Sequence, residues 1–276
     1  MSTVVNHKSI HPKFRSILNQ IKISLLSIKY ALQREMLNKF TFFSNIIFMI
    51  LNNACFIVQW IILYAIKEDV GGYSFKQVLL LWGLAAGGYG ISHFFFRESF
   101  HLSENINSGK LDNYLIQPKN VLLSLITSNV EVSALGDLLY GIILLFFYGF
   151  SIKVLGLFIL FSITSGLIIT SIAIITGSLA FWFGKSDVFG DTVNGLMTNF
   201  ATYPEGIFNG IIKTLFYTII PLGFSIYLPI QIMSTFNLFN TIIVILITIF
   251  LVLLAFFIFY RGLRKYSSTN LMNVRV

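Results

Sequence analysis

The feature that most constrains this chain is a series of apolar runs, each about as long as a bilayer is thick. The clearest covers 238–260, and comparable runs cover 40–65, 75–96 and 154–183. A helix needs roughly 20 mostly apolar residues to cross the hydrocarbon core of a membrane. Only 11% of the residues are charged, against about 25% in typical soluble domains. The sequence therefore predicts an all-α membrane protein.

Two further segments are apolar but less uniform. The segment 121–150 contains Glu131 and Asp137, and the segment 187–203 begins with polar residues. Counting both gives six transmembrane helices, which with short connections occupy most of the 276 residues. We therefore expect one transmembrane domain over 1–276, with any energy-coupling unit on another chain.

Small residues follow one side of the second predicted span. Gly83 and Gly87 form a G-x-x-x-G pattern, and Ala86 and Gly90 lie close to that side. Small side chains let helices approach one another closely in lipid. The pattern predicts a packed helix face.

The distribution of positive charge predicts the orientation. Fifteen of the nineteen Lys and Arg residues lie before the first span, in 97–119, at Lys185 and in 261–276, and four lie in the opposite connections. Because Lys and Arg stay preferentially on the cytoplasmic side, both termini are predicted to be cytoplasmic. The net charge of +8 is then a topology signal, and no nucleic acid is expected as a partner.

An amphipathic helix is predicted at 12–38, before the first span. Apolar residues recur on one stripe, at Phe14, Leu18, Ile21, Leu25, Ile28, Leu32 and Met36. Arg15, Lys22 and Lys29 repeat every seven positions on another face. Such a helix lies in the headgroup plane of a bilayer. The alternative is a soluble helix that binds a partner.

Catalytic motifs are missing from the sequence. The fragment Gly184-Lys185-Ser186 imitates the end of a P-loop, but Leu179 stands where that motif has a glycine. His7 and His11 lack the intervening Glu of a zinc-protease helix, and no G-x-S-x-G is present. We predict that the chain is not an enzyme and itself binds no cofactor or metal.

Two carboxylates inside an apolar segment need compensation. An uncompensated Asp at the centre of a membrane helix costs about 2.5–3.5 kcal/mol. Glu131 and Asp137 either pair near the interface or line a substrate path as path or gate residues. Six residues apart, they point to different faces of a helix, so a cooperating pair is not predicted.

Four segments carry a resemblance to a known family. Residues 108–118 read SGKLDNYLIQP and resemble the G-x-L-D-x-x-L-x-x-P signature of a branch of ABC-2-type transporter permeases. Further similar landmarks follow in the family's order, namely Tyr203-Pro204, Ile220-Pro221 with Pro229, and the aromatic-basic segment 260–268. Gln117 and Tyr260 depart from the pattern, because many relatives have Arg and Trp there.

The resemblance implies an architecture and partners. The expected fold has six spans, an interface helix at 12–38, a cytoplasmic coupling loop at 97–119, and short re-entrant outer helices in 204–232. The expected role is the permease subunit of a bacterial exporter in the cytoplasmic membrane, carrying a hydrophobic or amphipathic substrate. Two copies of an ABC ATPase, which bind ATP and Mg, and a second permease, identical or related, are the implied partners beside the lipid bilayer.

The same resemblance assigns the ATPase-coupling residues, which are Gly109, Lys110, Leu111, Asp112, Leu115 and Pro118. Leu111 and Leu115, four residues apart, would form an apolar knob that seats in a groove on the ATPase. Lys110 and Asp112 would rim it, and Gly109 and Pro118 would mark the ends of the helix. Tyr203, Pro204, Pro221 and Pro229 would shape the outer segment.

Two other functions remain open from the residues alone. One is an ion- or proton-coupled carrier that uses Glu131 and Asp137, which would favour an internal repeat that the sequence does not display. The other is a membrane-embedded protein that does not transport.

Overall fold

The computed structural model describes residues 14–184 and 186–267. Lys185, residues 12–13 of the predicted interface helix and residues 268–276 of the predicted tail lie outside the described residues. The α-helices, numbered in chain order, are α1 (Phe14–Glu35), α2 (Lys39–Ile66), α3 (Phe75–Phe96), α4 (Leu102–Asn107), α5 (Asp112–Leu115), α6 (Val121–Ile126), α7 (Ser133–Gly149), α8 (Ile152–Ser178), α9 (Ala180–Phe183), α10 (Asp187–Phe200), α11 (Ile211–Thr218), α12 (Leu228–Ser234) and α13 (Leu238–Leu263).

Four helical segments in the described part of the chain are long and apolar enough to cross a bilayer. They are α2, α3 with its continuation to Asn107, α8 with α9, and α13. The pair formed by α11 and the segment Gly223–Ser234 is bent by 77° and would be a fifth span if counted as one. For the described residues, the prediction of an all-helical fold with candidate membrane spans is confirmed. Length and composition support four or five spans, so the number six stays a prediction.

The centre of the bundle is formed by α3 and α8, whereas α2 and α13 leave most of their surface exposed. Gly87 and Gly88 of α3 lie against Ser162 and Ser165 of α8, and a methyl group at Gly88 would be 2.8 Å from the Cβ of Ser165. On the same face of α3, Gly83 meets the backbone of Gly141 in α7. The small-residue face predicted for α3 therefore packs closely against two helices.

The segment 121–150, predicted as one span, is divided into two helices. Residues 127–132 separate α6 from α7. They carry the polar side chains of Asn129 and Glu131, which bond to Glu98 and Arg97, the residues that directly follow α3. These bonds hold the polar residues at the end of the bundle, so the apolar helix begins only at Ser133.

The bundle has two distinct ends. We call the first the hairpin end, because it carries α4, α5 and α6 in a segment defined here as the polar hairpin, residues 97–126. The opposite end carries the connection 67–74 and the segment 204–234, which we call the cap. The cap contains a short 3₁₀ turn, α11, a π-helical turn at Gly223–Tyr227 and α12.

Candidate functional site

The polar hairpin holds the residues predicted to couple to an ATPase. The coupling helix is predicted between Gly109 and Pro118, and the structure has the four-residue α5 there. A second short helix, α4, precedes it and is joined to it by a turn at Gly109. Gly109 has a φ of 75°, a left-handed conformation that favours glycine. The backbone N–H of Leu111 donates to the carbonyl of Asn105 at 3.2 Å and closes the turn.

The inner face of the hairpin is anchored by Leu111. This side chain is fully buried in one cluster with Leu102 and Leu122, and the cluster includes Ile174 of α8 and Phe259 of α13. The expectation that Leu111 forms an exposed knob is therefore wrong. The four-residue spacing would place Leu111 and Leu115 on one face of a single helix, but α5 begins at Asp112, and the Leu111 side chain points into the core.

The outer face of the hairpin presents Ile116. Its side chain is 85% exposed, and its neighbour Leu115 is half-buried. Lys110 lies beside this surface and forms an ion pair with Glu104, with Nζ 3.0 Å from Oε1. Asp112 is half-buried and Pro118 is exposed. The exposed apolar surface of the hairpin is thus formed by Ile116 and part of Leu115.

Hydrogen bonds connect α1 to the hairpin. Arg34 of α1 donates to the side-chain oxygen of Asn129 at 2.5 Å, and Asn129 donates to Glu98 at 3.2 Å. The other carboxylate oxygen of Glu98 accepts from Asn105 of α4 at 2.9 Å. A continuous chain of hydrogen bonds therefore runs from α1 to α4.

The predicted interface helix is attached along one side and open along another. Its Gln20 donates to the Ser124 hydroxyl at 3.3 Å and accepts from the backbone N–H of Asn120 at 2.9 Å. Ile28 and Ala31 pack into the bundle. The exposed residues include the predicted apolar and basic positions Leu18, Ile21, Lys22, Leu25 and Lys29. An apolar and basic surface is thus available to a bilayer.

A cavity of about 290 Å³ lies between α2, α3, α7 and α10. Glu131 and Asp137 both line it, although the sequence spacing predicts that they point to different faces of one helix. Helical spacing does not relate them, because Glu131 precedes the first residue of α7, Ser133. The turn before the helix places the Glu131 carboxylate at the same cavity.

The two cavity carboxylates have different partners. The Nε of Arg97 lies 3.0 Å from Oε2 of Glu131, and the Ser133 hydroxyl donates to Oε1 at 3.1 Å. Asp137 accepts one hydrogen bond from the Asn53 amide at 2.6 Å. In the part of the chain that the structure describes, no ion pair reaches Asp137. Of the two cavity carboxylates, Glu131 is thus the one with a cation beside it among the residues that the structure describes.

Aromatic rings form much of the remaining wall. Trp82, Tyr89 and His93 of α3 line the cavity, together with Thr198 of α10. The Trp82 ring stacks on Phe56 of α2 with centroids 5.9 Å apart. The wall therefore combines aromatic rings with two carboxylates, in a region that the surrounding helices make mostly apolar.

The cap is organised by a residue that the sequence analysis did not single out. Glu205 is 5% exposed and accepts hydrogen bonds from Tyr217 at 3.0 Å and Gln231 at 3.2 Å. Lys213 lies 3.1 Å from the same carboxylate. Burial, and then the Glu205 charge, raise the pKa of the Tyr73 hydroxyl in the adjoining connection. The sequence does offer one signal for it, because Glu205 is the one acidic residue in the mostly apolar segment 204–234.

The predicted outer residues lie in or beside the cap. Tyr203 packs its ring edge-on against Trp60 of α2 at 5.9 Å between centroids. Pro204, Pro221 and Pro229 are buried. Pro221 follows the end of α11, and Pro229 lies in the first turn of α12. Proline is tolerated in the first turn of a helix and disrupts a helix interior, and Pro221 lies at the break between α11 and the helical segment Gly223–Ser234.

Comparison with known proteins gives one match. A family model described as ABC-2 family transporter protein matches residues 50–270. The matched range takes in the polar hairpin, the cap and most of the cavity wall, and it begins after α1. No curated protein and no solved structure matches the chain.

Proposed function

The chain belongs to the ABC-2 family of transporters, and from this premise we propose that it is the permease subunit of an ATP-driven exporter of a hydrophobic or amphipathic substrate. It is a multi-pass membrane protein. We assign ATP and Mg to a separate ATPase, present in two copies, and expect a second permease, identical or related, beside this one.

The observation that carries the proposal is the two-sided construction of the polar hairpin. Ile116 is exposed on its outside, and Leu111 is buried on its inside among residues of α8 and α13. A partner that displaced Ile116 would therefore move a rigid element packed on two membrane helices. Rigid movement of packed elements is the usual way in which a binding event reorients a bundle.

We propose that α7 and α10 complete a six-helix bundle with the hairpin end in the cytoplasm. The charge pattern supports this orientation, because Lys and Arg are concentrated around the hairpin end. The buried glycines of α7 support its place between helices, since Gly136 meets Met49 of α2 and Gly141 meets Gly83 of α3. The cap then lies at the outer mouth, where broken backbone is tolerated because it is buried in protein.

The membership of the complex is tested by purification. The tagged full chain is extracted from its host in mild detergent, and the proteins that come with it are identified and counted by mass spectrometry. We expect an ABC ATPase in two copies and two permease chains. Recovery of the intact chain alone, in repeated preparations that transport in liposomes without ATP, would contradict the proposal and favour the carrier alternative.

The contact itself is tested by Ile116→Asp, with Ile66→Asp as the matched control. Both isoleucines are exposed, and they lie at opposite ends of the bundle. A charge at the centre of an apolar contact removes most of its binding free energy. We expect at least a tenfold loss of ATPase recovery for Ile116→Asp and no loss for Ile66→Asp. Leu115→Asp should also abolish substrate-stimulated ATP hydrolysis, and equal recovery in all variants would contradict the assignment.

A further inference from the structure

We propose that the cavity between α2, α3, α7 and α10 binds the cationic headgroup of an amphipathic substrate, with Asp137 as its counter-charge. This inference rests on the proposed function, because it names the substrate class of the same subunit. Its support is independent of the hairpin and comes from the charges, the rings and the size of the cavity.

The charge balance of the cavity favours a cation. Arg97 compensates Glu131, whereas among the described residues Asp137 is met by the neutral amide of Asn53 and by no cation. An ionised carboxylate within a membrane bundle is costly unless a cation or several donors face it. A positively charged ligand next to Asp137 would supply the missing partner. An anionic headgroup would meet Asp137 directly, and the Arg97 guanidinium that could receive it is already bound to Glu131.

The wall chemistry favours an organic cation. Trp82 and Tyr89 line the cavity, and aromatic faces attract alkylammonium groups, Trp most strongly. Among the described residues, no group of three or more His, Cys, Asp or Glu side chains could hold a metal ion. A substituted ammonium group needs only one carboxylate and the rings.

The size of the cavity restricts the ligand to its polar part. A volume of about 290 Å³ lies at the lower limit of pockets that hold small molecules, which is about 300 Å³. Phe56, stacked on the cavity residue Trp82, is half-exposed on the outer surface of α2. An amphipathic ligand whose headgroup occupies the cavity could therefore place its apolar tail along the exposed, apolar surface of α2.

The experiment measures binding of radiolabelled dodecyltrimethylammonium to the purified full chain in nanodiscs of zwitterionic lipid, with empty nanodiscs as background. We expect saturable binding to the wild type. Asp137→Asn should raise the Kd at least tenfold, and Asp137→Glu, which keeps the charge, should bind within threefold of the wild type. The matched control is Asp191→Asn, an exposed acid of α10 outside the cavity, which should leave the Kd unchanged.

A second measurement needs no variant. Dodecanol, which has the same tail without the cation, should compete at least tenfold more weakly than unlabelled dodecyltrimethylammonium. Equal competition, non-saturable binding, or an unchanged Kd in a folded Asp137→Asn protein would each overturn the inference.

The outcomes are distinguishable from a failure of the proposed function, because the binding assay contains no ATPase. Charge-dependent binding by a chain that recovers no ATPase would support the cation site and contradict the exporter. ATPase recovery with no cation binding would overturn only the cation site.

Discussion

Replacing Glu205 by Gln tests whether the cap depends on one buried carboxylate. In the native protein this carboxylate joins the 3₁₀ turn at Glu205–Ile207 to α11 through Lys213 and Tyr217, and to α12 through Gln231. The substitution preserves the shape of the side chain. It removes the charge and places an NH₂ donor where one of the two acceptor oxygens was.

The expected cost follows from these partners. Hydrogen bonds to a charged group contribute about 1.5–3 kcal/mol each. In the variant one of the two bonds, to Tyr217 or to Gln231, loses its acceptor and the other becomes neutral. Lys213 is half-exposed, so its ion pair adds at most about 1 kcal/mol. We expect the free energy of local unfolding of the cap to fall by about 2–4 kcal/mol. The equilibrium constant for its local opening would then rise by about 30- to several-hundred-fold.

Hydrogen exchange measured by mass spectrometry on the purified full chain reports this opening, since locally unfolding segments exchange independently of the core. The amides of α11 and α12 should exchange faster by that factor, and those of α8 should not change. Glu68→Gln, at an exposed acid of the same end of the bundle, is the control and should leave the cap unaffected. Unchanged exchange in α11 and α12 would refute the reasoning, as would an equal increase in α8.

Two further predictions concern packing. Gly88→Ala places a methyl group 2.8 Å from the Cβ of Ser165. We expect this overpacking to lower the free energy of unfolding by about 1–3 kcal/mol and to lower the thermal midpoint in detergent. An unchanged midpoint would mean that α3 and α8 are not in close contact. Leu111→Ala should lower the free energy of unfolding by about 2–5 kcal/mol, as truncation of a buried leucine does, and should increase proteolysis of the polar hairpin. Ile116→Ala, at an exposed position, is the control and should not increase it. Similar proteolysis in both variants would mean that Leu111 is not part of the core.

The long helices could be predicted from the sequence because their signal is local. A run such as 238–260 is apolar on every side, and the structure has a helix at Leu238–Leu263. The division of 121–150 could not be predicted in this way. Its cause is the bonding of Asn129 and Glu131 to residues around 97–98, which is a long-range interaction that hydropathy does not contain.

The coupling residues illustrate a second limit. The motif at 108–118 lies within the polar hairpin, but it could not separate Leu111 from Ile116. Both are apolar residues in a polar segment, and only the turn at Gly109 decides which one faces α8 and α13. A helical spacing argument fails there, because the segment is too short to be one helix.

The cavity and the cap show a third limit. The partner of Glu131 is 34 positions away along the chain, at Arg97, and the partner of Asp137 is Asn53. The sequence could indicate that these carboxylates need compensation, but it could not indicate which one receives a cation. Glu205 was overlooked for the same reason, since its partners become visible only when α11 and α12 are folded together.

Two consecutive residues connect the hairpin with the cavity. Glu98 holds α4 through Asn105, and Arg97 compensates Glu131 at the cavity wall. A displacement of α4 that withdrew Arg97 would leave the Glu131 charge beside that of Asp137, and the cavity would attract a cation more strongly. We therefore expect Arg97→Gln, which imitates this withdrawal, to lower the Kd for dodecyltrimethylammonium severalfold. An unchanged Kd in the folded variant would mean that Arg97 does not control cation binding in the cavity. It would contradict the idea that movement of the hairpin reaches the substrate through this residue.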